Sequence, residues 1–232
     1  METNLDAVRA TAKTFLYLPF ELVEGFSPIL FVQHPFLASC IIPLKSGFVN
    51  ALDDPKALEE YQKAVSDQID KSDLTGIFML MRKPYHLAFL KYCYQYLSEK
   101  DLAEYFAYAW VNSENPNQDV NCPISYLIRM FKKCDKKLLM TEEDYAIYES
   151  LPETFTIYRG VAVGRNPKGL SWTQNLETAK WFAHRFDRNE KQGYIQTGIA
   201  EKKHVLAYFN TRNEDEIVYN TPKLKITILE EV

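Results

Sequence analysis

The sequence predicts an α+β protein in which a mostly helical region is followed by a set of short strands. Between residues 53 and 150, apolar side chains recur every three or four positions, which is the period of a helix with one buried face. After Pro152 the pattern changes to short β-prone runs separated by Gly, Pro, Asn and Asp, which is typical of strands and turns. With 232 residues, the chain is long enough for two such parts.

Residues 1–52 show no sustained helical period. Apolar and aromatic runs alternate there with prolines, which cannot continue a helix, so short strands and turns are expected. Further along, helix starts are marked by Ser72, by Pro84 and Pro123 in first-turn positions, and by a capping box at Thr141. The predicted helices span residues 56–70, 74–81, 84–97, 102–111, 124–131 and 142–150.

One further helix and six strands are predicted after Pro152. The helix spans residues 176–186 and is capped by Asn175 or Thr178. The predicted strands span residues 155–158, 169–173, 194–200, 205–209, 216–219 and 224–229. Many short strands with one helix indicate a compact α+β module of about 80–90 residues.

Composition and charge exclude several classes of function. Apolar residues make up 47% and charged residues 25%, as in ordinary globular proteins, so extended disorder is not expected. Residues 1–150 carry 15 Lys and Arg against 21 Asp and Glu, whereas residues 151–232 carry 12 against 10. The second part can accept an anionic small ligand, but it is too weakly basic to predict a nucleic-acid surface.

The cysteines and the start of the chain indicate an intracellular protein without a metal site. The four cysteines share no CxxC spacing, and no histidine stands at a metal-ligand spacing from them, so reduced structural thiols are expected. The N-terminus is not followed by a signal-type apolar core, and no segment approaches the ~18 apolar residues of a membrane helix. A soluble, cytoplasmic protein is expected, and leaderless export is left open.

Three short motifs between residues 155 and 219 suggest a chemistry. They are Tyr158-Arg159-Gly160, Ser171-Trp172-Thr173 and Glu214-Asp215-Glu216. The first ends an apolar strand. Arg159 has the planar fork of donors that suits phosphate, and Gly160 permits close approach of a ligand. A structural ion pair with a nearby acid is the alternative for Arg159.

Strand parity groups the polar side chains of the other two motifs, since residues two apart on a strand face the same side. Ser171 and Thr173 then share a face, where their hydroxyls can donate to a carboxylate; a turn or N-capping role is the alternative. If the last motif's strand begins by Glu214, then Glu214 and Glu216 also share a face, and repulsion raises the pKa of one carboxyl. A solvated acidic turn is the alternative for these acids.

The order of the three motifs resembles the Arg-Ser-Glu branch of the ADP-ribosyltransferase superfamily. That family has an aromatic-Arg-Gly strand, then a Ser-x-Thr/Ser strand, then Glu-x-Glu or Gln-x-Glu opening an apolar strand. The helix containing Trp181-Phe182-Ala183 is also similar to that of compact bacterial and phage members, which implies an effector role. The resemblance implies a compact split β-sandwich of ADP-ribosyltransferase type at residues 141–232, behind a helical region at residues 1–140.

The resemblance also implies a role in NAD binding or catalysis for each matched residue. Arg159 would hold the diphosphate or adjoining ribose of NAD, and Gly160 would contribute backbone near the adenine or nicotinamide side. Ser171 would orient Glu216, and Thr173 would support the strand. Glu216 would be the catalytic residue: it would bind the nicotinamide-ribose hydroxyl and stabilise the positive charge that develops as nicotinamide leaves, as carboxylates do in glycoside hydrolysis.

The resemblance also implies a type of acceptor, and the sequence departs from the family pattern at two points. In the family, Glu at the position of Glu214 accompanies arginine acceptors, whose guanidinium needs a base before it becomes nucleophilic, and the loop at residues 210–213 recognises the acceptor. Trp172 is bulky where the family often has a small residue. The phosphate-contacting loop must also be short, and residues 187–193, with Arg185 and Arg188, are the candidate.

Together these features predict an NAD-dependent mono-ADP-ribosyltransferase, a glycosyltransferase that uses NAD as its substrate and needs no metal. Its expected acceptor is an arginine on a protein partner. A catalytically inactive module of the same fold, binding NAD or a protein, and an NAD glycohydrolase are the alternatives. Residues 1–140 either bind the target or partner, or cover the NAD module as part of one folding unit.

Overall fold

The structure of the protein is a computed structural model that describes residues 1–19, 21–23, 31–45, 47–185 and 193–231. Helices and small antiparallel sheets both occur, so the predicted α+β class is confirmed. The chain divides into two compact units. The first contains Met1–Asp101 and Asn112–Glu114, and the second contains Leu102–Val111 and Asn115–Val232.

The first unit combines helices with two-stranded sheets. Its helices are α1 (Leu5–Leu16), α2 (Pro55–Lys71), α3 (Leu74–Leu80) and α4 (His86–Cys93), with 3-10 turns at Lys83–Tyr85 and Tyr94–Tyr96. Its strands are β1 (Glu21–Leu22), which pairs with β2 (Val32–Gln33), and β3 (Ile41–Leu44), which pairs with β4 (Gly47–Asn50). Helix α5 (Glu99–Asn112) begins in this unit, and its Leu102–Val111 stretch belongs to the second.

Helix α1 corrects the expectation that residues 1–52 form only short strands and turns. Asn4 caps this helix, because its side-chain oxygen accepts a hydrogen bond from the backbone N–H of Ala7 at 3.1 Å. Its buried residues are Val8, Ala12, Phe15 and Leu16. Their spacing of three or four is helical, and Pro19 comes only after the helix has ended.

The cap of helix α3 also differs from the prediction. Asp73, not Ser72, is its N-cap, and the Asp73 carboxylate accepts from the backbone N–H of Gly76 at 2.8 Å. The hydroxyl of Ser72 donates instead to the carbonyl of Gln68, at the end of α2. The predicted helix is therefore present and begins at Leu74 as predicted, with its N-cap one residue further along than Ser72.

The second unit contains the elements that carry the three motifs. Its further helices are α6 (Ile124–Lys133), α7 (Lys136–Leu139), α8 (Glu142–Ser150) and α9 (Leu176–His184). Its strands are β5 (Thr154–Val161), β6 (Ser171–Trp172), β7 (Tyr194–Glu201), β8 (Val205–Phe209), β9 (Glu216–Tyr219) and β10 (Thr227–Glu231). Short 3-10 turns lie at Pro116–Gln118, Lys202–His204 and Thr221–Lys223. All six predicted strands are confirmed to within a few residues at their ends.

These six strands form two antiparallel sheets, with the strand orders β10-β7-β5 and β6-β9-β8. One bridge joins the two sheets. In it, Tyr158 and Thr173 exchange backbone hydrogen bonds with N–O distances of 2.7 and 2.9 Å. This bridge and the β6–β9 pairing bring the three motif-bearing strands, β5, β6 and β9, together.

Helix α9 packs directly against β5 at Gly160. The helix begins as predicted at Asn175, whose side chain accepts from the backbone N–H groups of Glu177 and Thr178. A Cβ atom at Gly160 would lie 1.9 Å from the carbonyl oxygen of Ala179. No side chain fits in that distance, so the packing of helix on strand requires glycine here whether or not a ligand binds.

Three further observations concern spans, metals and thiols. Within the described residues, no helix combines the length and apolar character needed to cross a membrane. In the same ranges, no group of three or more His, Cys, Asp or Glu side chains is placed to hold a metal ion. All four cysteines are buried, and burial raises the pKa of Cys93 and of Cys134 to about 12, which keeps both thiols protonated.

Candidate active site

Strands β6 and β9 bring Ser171 and Glu216 to one face of their sheet. The register pairs Ser171 with Val218, and Trp172 with Ile217. Paired residues of antiparallel strands share a face, and so do residues two apart on one strand. Ser171, Val218 and Glu216 therefore lie on the same side. Ser171 and Glu216 are both half-buried, so this part of the sheet is in contact with solvent.

The indole of Trp110, on helix α5, holds the carboxylate of Glu216. Its Nε1 atom lies 3.2 Å from Oε1 and 3.2 Å from Oε2 of Glu216. Trp110 is only 1% exposed, and its ring packs edge-to-face on Phe131 of α6 with 4.9 Å between centroids. Because the packing fixes the ring, and a buried indole N–H needs an acceptor, Trp110 fixes the position of the carboxylate.

A second pair of hydrogen bonds orients Ser171. The Asn117 side chain donates from Nδ2 to Ser171 Oγ at 3.0 Å, while its Oδ1 accepts from the backbone N–H of Leu170 at 2.7 Å. The Leu170 donor decides which end of the amide faces Ser171. Because the Ser171 oxygen accepts from Asn117, its own proton is free to point elsewhere, and the interaction of this hydroxyl with Glu216 lowers the pKa of that carboxyl.

Arg159 on β5 belongs to the same network through its terminal nitrogens. Nη1 donates to the carbonyl of Ser171 at 2.6 Å, and Nη2 donates to the carbonyl of Asn166 at 3.1 Å. The side chain of Asn166 donates in turn to the carbonyl of Asn117 at 2.8 Å. A Cβ at Gly169 would lie 2.2 Å from Nη2, so the guanidinium fits there because residue 169 is glycine.

Several charges and hydrogen bonds act on the carboxyl of Glu216. Burial has the largest effect and raises its pKa. Hydrogen bonds from Ser171 and Trp110 lower the pKa, the charge of Glu214 raises it, and the charge of Arg159 lowers it. The net shift is upward. Burial also lowers the pKa of Arg159 to about 10, so the guanidinium remains charged at neutral pH.

Comparison with known proteins identifies no family for this chain. No protein-family model matches the chain. No curated protein and no solved structure matches it either. The functional argument therefore rests on the side chains of the site.

Three of the predicted site residues meet in this cluster. Arg159 donates to the backbone carbonyl of Ser171, the Ser171 hydroxyl lowers the pKa of Glu216, and the charges of Arg159 and Glu216 act on each other. Each residue comes from a different strand, so the contacts form only in the folded second unit.

The structure contradicts the strand-parity argument for Glu214. Strand β9 begins at Glu216, and just before it Asn213 and Asp215 have φ angles of 55° and 47°. Asn and Asp enter this left-handed region because their short polar side chains can form local hydrogen bonds. Asp215 is held there by the hydroxyl of Tyr208, which donates to Oδ1 at 2.7 Å. Glu214 influences Glu216 through its charge and not through a shared strand face.

Thr173 and Trp172 have structural partners. Thr173 is 4% exposed, and its hydroxyl accepts from the backbone N–H of Asn175 at 3.1 Å, which is the turn role that the sequence leaves open as the alternative. Trp172 is 2% exposed, and its Nε1 donates to the hydroxyl of Thr221 at 2.9 Å. The bulky middle residue of this motif therefore belongs to the core, on the face opposite Ser171.

The predicted phosphate-contacting loop lies largely outside the described residues, since residues 186–192 are not part of them. Arg188 falls in this stretch. Arg185 is described, and its guanidinium carbon lies 5.0 Å from the ring centroid of Trp181. That distance is typical of a cation–π contact on the surface of α9.

Trp110 and Asn117 are not among the residues that the motifs predict. Trp110 lies 106 positions from Glu216, and Asn117 lies 54 positions from Ser171. In the sequence, Trp110 fits the apolar face of a helix and Asn117 fits a polar loop. Their only signal is residue type, because a buried indole N–H or amide needs a hydrogen-bond partner. The second unit thus takes in residues from before position 141.

Proposed function

We propose that the protein is an NAD-dependent mono-ADP-ribosyltransferase. The observation that carries this proposal is the convergence of Arg159, Ser171 and Glu216, with the Glu216 carboxylate held by the Trp110 indole in a half-buried position. A fixed, partly desolvated carboxylate stabilises positive charge that exists only in the transition state. Charge of this kind develops on a ribose when its glycosidic bond to a cationic ring breaks.

The residues of the cluster fit NAD as a substrate, which would supply the ADP-ribosyl group and the leaving nicotinamide. Arg159 is charged at neutral pH, and its buried Nε–H has no partner among the described residues, so a donor remains for a polar group of the substrate. The Glu216 carboxylate can accept a hydrogen bond from a ribose hydroxyl. Two three-stranded sheets bridged at Tyr158 and Thr173 also support the proposed split β-sandwich of ADP-ribosyltransferase type.

In the proposed reaction, Glu216 faces the ribose carbon from which nicotinamide departs with the electron pair of the glycosidic bond. The acceptor then supplies the electron pair of the new bond and releases a proton. Ser171 and Trp110 keep Glu216 in place, and both hydrogen bonds favour its ionised form. These hydrogen bonds therefore oppose the effect of burial, which favours the neutral carboxyl.

An arginine on a protein is the proposed acceptor, because Glu214 stands two residues before Glu216 as in the arginine-modifying members of the family that the sequence resembles. Glu214 is the proposed base for that acceptor. The left-handed Asp215 between the two acids favours a second candidate, hydrolysis of NAD. Water requires no second carboxylate on the strand face of Glu216, so hydrolysis is compatible with the observed backbone.

Incubation of the purified full chain with labelled NAD and a cell lysate tests the proposal. We expect labelled protein bands with the wild-type chain. Glu216→Gln should lower the labelling rate at least about 100-fold, the usual cost of removing one group that stabilises transition-state charge. Glu231→Gln changes an exposed glutamate on β10 in the same way and should retain the wild-type rate.

The products distinguish the candidates. Free ADP-ribose without labelled protein would establish the NAD glycohydrolase, and NAD binding without either product would establish an inactive binding module. If the wild-type chain binds no NAD, the proposed function is wrong. If Glu216→Gln labels protein at the wild-type rate, the assignment of Glu216 is wrong.

A further inference from the structure

Gln196 lies directly opposite Arg159 in the sheet formed by β5 and β7. The register pairs these two residues, and paired residues of antiparallel strands project to the same face. Gln196 is only 6% exposed, so its amide is buried on the face that carries the guanidinium. None of the three motifs includes Gln196.

Both side chains carry a buried polar atom that is unpaired within the described part of the chain. Nε of Arg159 and Oε1 of Gln196 are shielded from solvent and have no hydrogen-bond partner among those residues. The first is a donor and the second an acceptor. A buried polar atom without a partner destabilises the folded protein, so a group that pairs with both atoms would be bound favourably here.

The described neighbours of Gln196 in the sheet explain why its oxygen has no partner there. On its other side, β10 places the apolar residue Ile228. Two positions along β7, Gly198 has no side chain, and the space beside it is filled by Leu224. In the opposite direction along β7, Tyr194 is half-buried and close enough to Arg159 to influence its pKa. Among these neighbours in the sheet, Arg159 is therefore the one that lies directly opposite Gln196 and carries polar groups.

Both terminal nitrogens of the Arg159 guanidinium are anchored to the main chain. Nη1 donates to the carbonyl of Ser171 at 2.6 Å, and Nη2 donates to the carbonyl of Asn166 at 3.1 Å. Each terminal nitrogen therefore uses one N–H on the main chain, which leaves fewer guanidinium donors for a bidentate phosphate contact. The unpaired Nε–H, with the Gln196 oxygen on the same face, offers one donor and one acceptor.

We propose that Arg159 and Gln196 together bind one neutral polar group of NAD that accepts one hydrogen bond and donates another. This inference rests on the proposed function. Ribose hydroxyls and the nicotinamide carboxamide have this chemistry, because either can accept from Nε–H and donate to the Gln196 oxygen. An ionised phosphate has no proton to donate to that oxygen. Gln196 is therefore a specificity-determining residue of the same site.

Calorimetric titration of the purified full chain with NAD and with ADP-ribose tests this role. Gln196→Met removes the amide at nearly constant volume and should weaken NAD binding about three- to tenfold, the effect of one lost neutral hydrogen bond. Its melting temperature should be equal to or above that of the wild type, because an unpaired buried acceptor is removed. Gln33→Met changes an exposed strand glutamine and should alter neither value.

The two ligands identify the group that is bound. Equal weakening for NAD and ADP-ribose would assign a ribose hydroxyl, since both ligands carry it. Weakening for NAD alone would assign the carboxamide, which ADP-ribose lacks. Gln196→Asn keeps an amide but shortens the side chain by one methylene, and it should weaken binding in the same way. It replaces Gln196→Met in the experiment if that variant does not fold.

Two results would overturn the inference while leaving the proposed function intact. One is wild-type NAD affinity in both folded Gln196 variants. The other is a lowered melting temperature with unchanged affinity, which would show that the amide serves the fold alone. If the wild-type chain binds neither NAD nor ADP-ribose, the proposed function itself fails, and the inference fails with it.

Discussion

The indole nitrogen of Trp110 lies 3.2 Å from both carboxylate oxygens of Glu216. A donor shared by both oxygens restrains the plane of the carboxylate as well as its position. The Trp110 ring is itself held by Phe131, so the restraint comes from the packed core of the second unit. Glu216 is therefore oriented before any ligand binds, which is the preorganisation that electrostatic catalysis requires.

The first prediction concerns a variant that lacks this indole donor but keeps an aromatic ring at position 110. Trp110→Phe should slow nicotinamide release by roughly 10- to 100-fold, because a hydrogen bond to a charged group contributes about 1.5–3 kcal/mol. It should also move the acidic limb of the pH–rate profile to higher pH, since a donor that lowers the pKa of Glu216 is lost. Both effects can be measured by following nicotinamide release at a series of pH values.

A second tryptophan provides the control for this experiment. Trp181 is 54% exposed on α9, so Trp181→Phe should leave the rate and the pH profile unchanged. An unchanged pH profile in Trp110→Phe would show that the indole only packs against the core.

The second prediction concerns coupling between Asn117 and Ser171. Asn117→Asp retains an oxygen for the N–H of Leu170 but replaces the donor that faces Ser171 with an acceptor, which attracts the Ser171 proton away from Glu216. Because Asn117 acts on Glu216 through Ser171, combining it with Ser171→Ala should lower kcat/KM little further than Ser171→Ala alone. Losses that add in the double variant would show that the two residues act independently.

Much of the fold is readable from the sequence because its signals are local. The apolar runs that become β7, β8 and β9 stand between turn residues, and Asn175 marks the start of α9. Helix α1 is the exception. Its cap at Asn4 and its helical spacing are present in the sequence, but the prolines that follow suggest strands and turns for the whole segment.

Only part of the site can be predicted from the sequence, because some of its residues stand in short motifs and others are brought in from distant positions of the chain. Arg159, Ser171 and Glu216 stand in short motifs, whereas the contact between Trp110 and Glu216 joins residues 106 positions apart and depends on tertiary packing. Strand parity fails at Glu214 because parity assumes an extended backbone, and Asp215 is left-handed. Residue type alone does not specify that conformation.

The third prediction tests how the charge of Glu214 acts. That charge raises the pKa of Glu216, so Glu214→Gln should lower it and move the acidic limb of nicotinamide release to lower pH. Glu153→Gln, an exposed change in the same unit, should not move the limb. A profile that stays in place in Glu214→Gln would show that the two acids do not interact.

The fourth prediction follows from the raised pKa of Glu216. A carboxyl whose pKa is higher in the folded state binds more protons when folded, so the free energy of unfolding decreases as pH rises from its ordinary value of 4.5 through the folded value. Glu216→Gln should therefore raise the melting temperature at neutral pH while activity is lost. Thermal unfolding between about pH 4 and pH 8 measures this, and a lower melting temperature at neutral pH would mean that the carboxylate stabilises the fold.

The last prediction concerns the contact between β5 and α9, next to Arg159. A Cβ at Gly160 would lie 1.9 Å from the Ala179 carbonyl, so Gly160→Ala must push the helix from the strand at a cost of about 1–3 kcal/mol or more. Gly164 provides a contrast, because it has a φ of +77° but, apart from its chain neighbours, no atom of the described residues lies within 4 Å of the place that a Cβ would take, so Gly164→Ala should cost only the left-handed strain of about 1–2 kcal/mol. In thermal unfolding, Gly160→Ala should lower the melting temperature more than Gly164→Ala and should also lower NAD affinity by displacing Arg159. Equal melting temperatures with unchanged NAD affinity would show that the strand and helix can separate without disturbing the site.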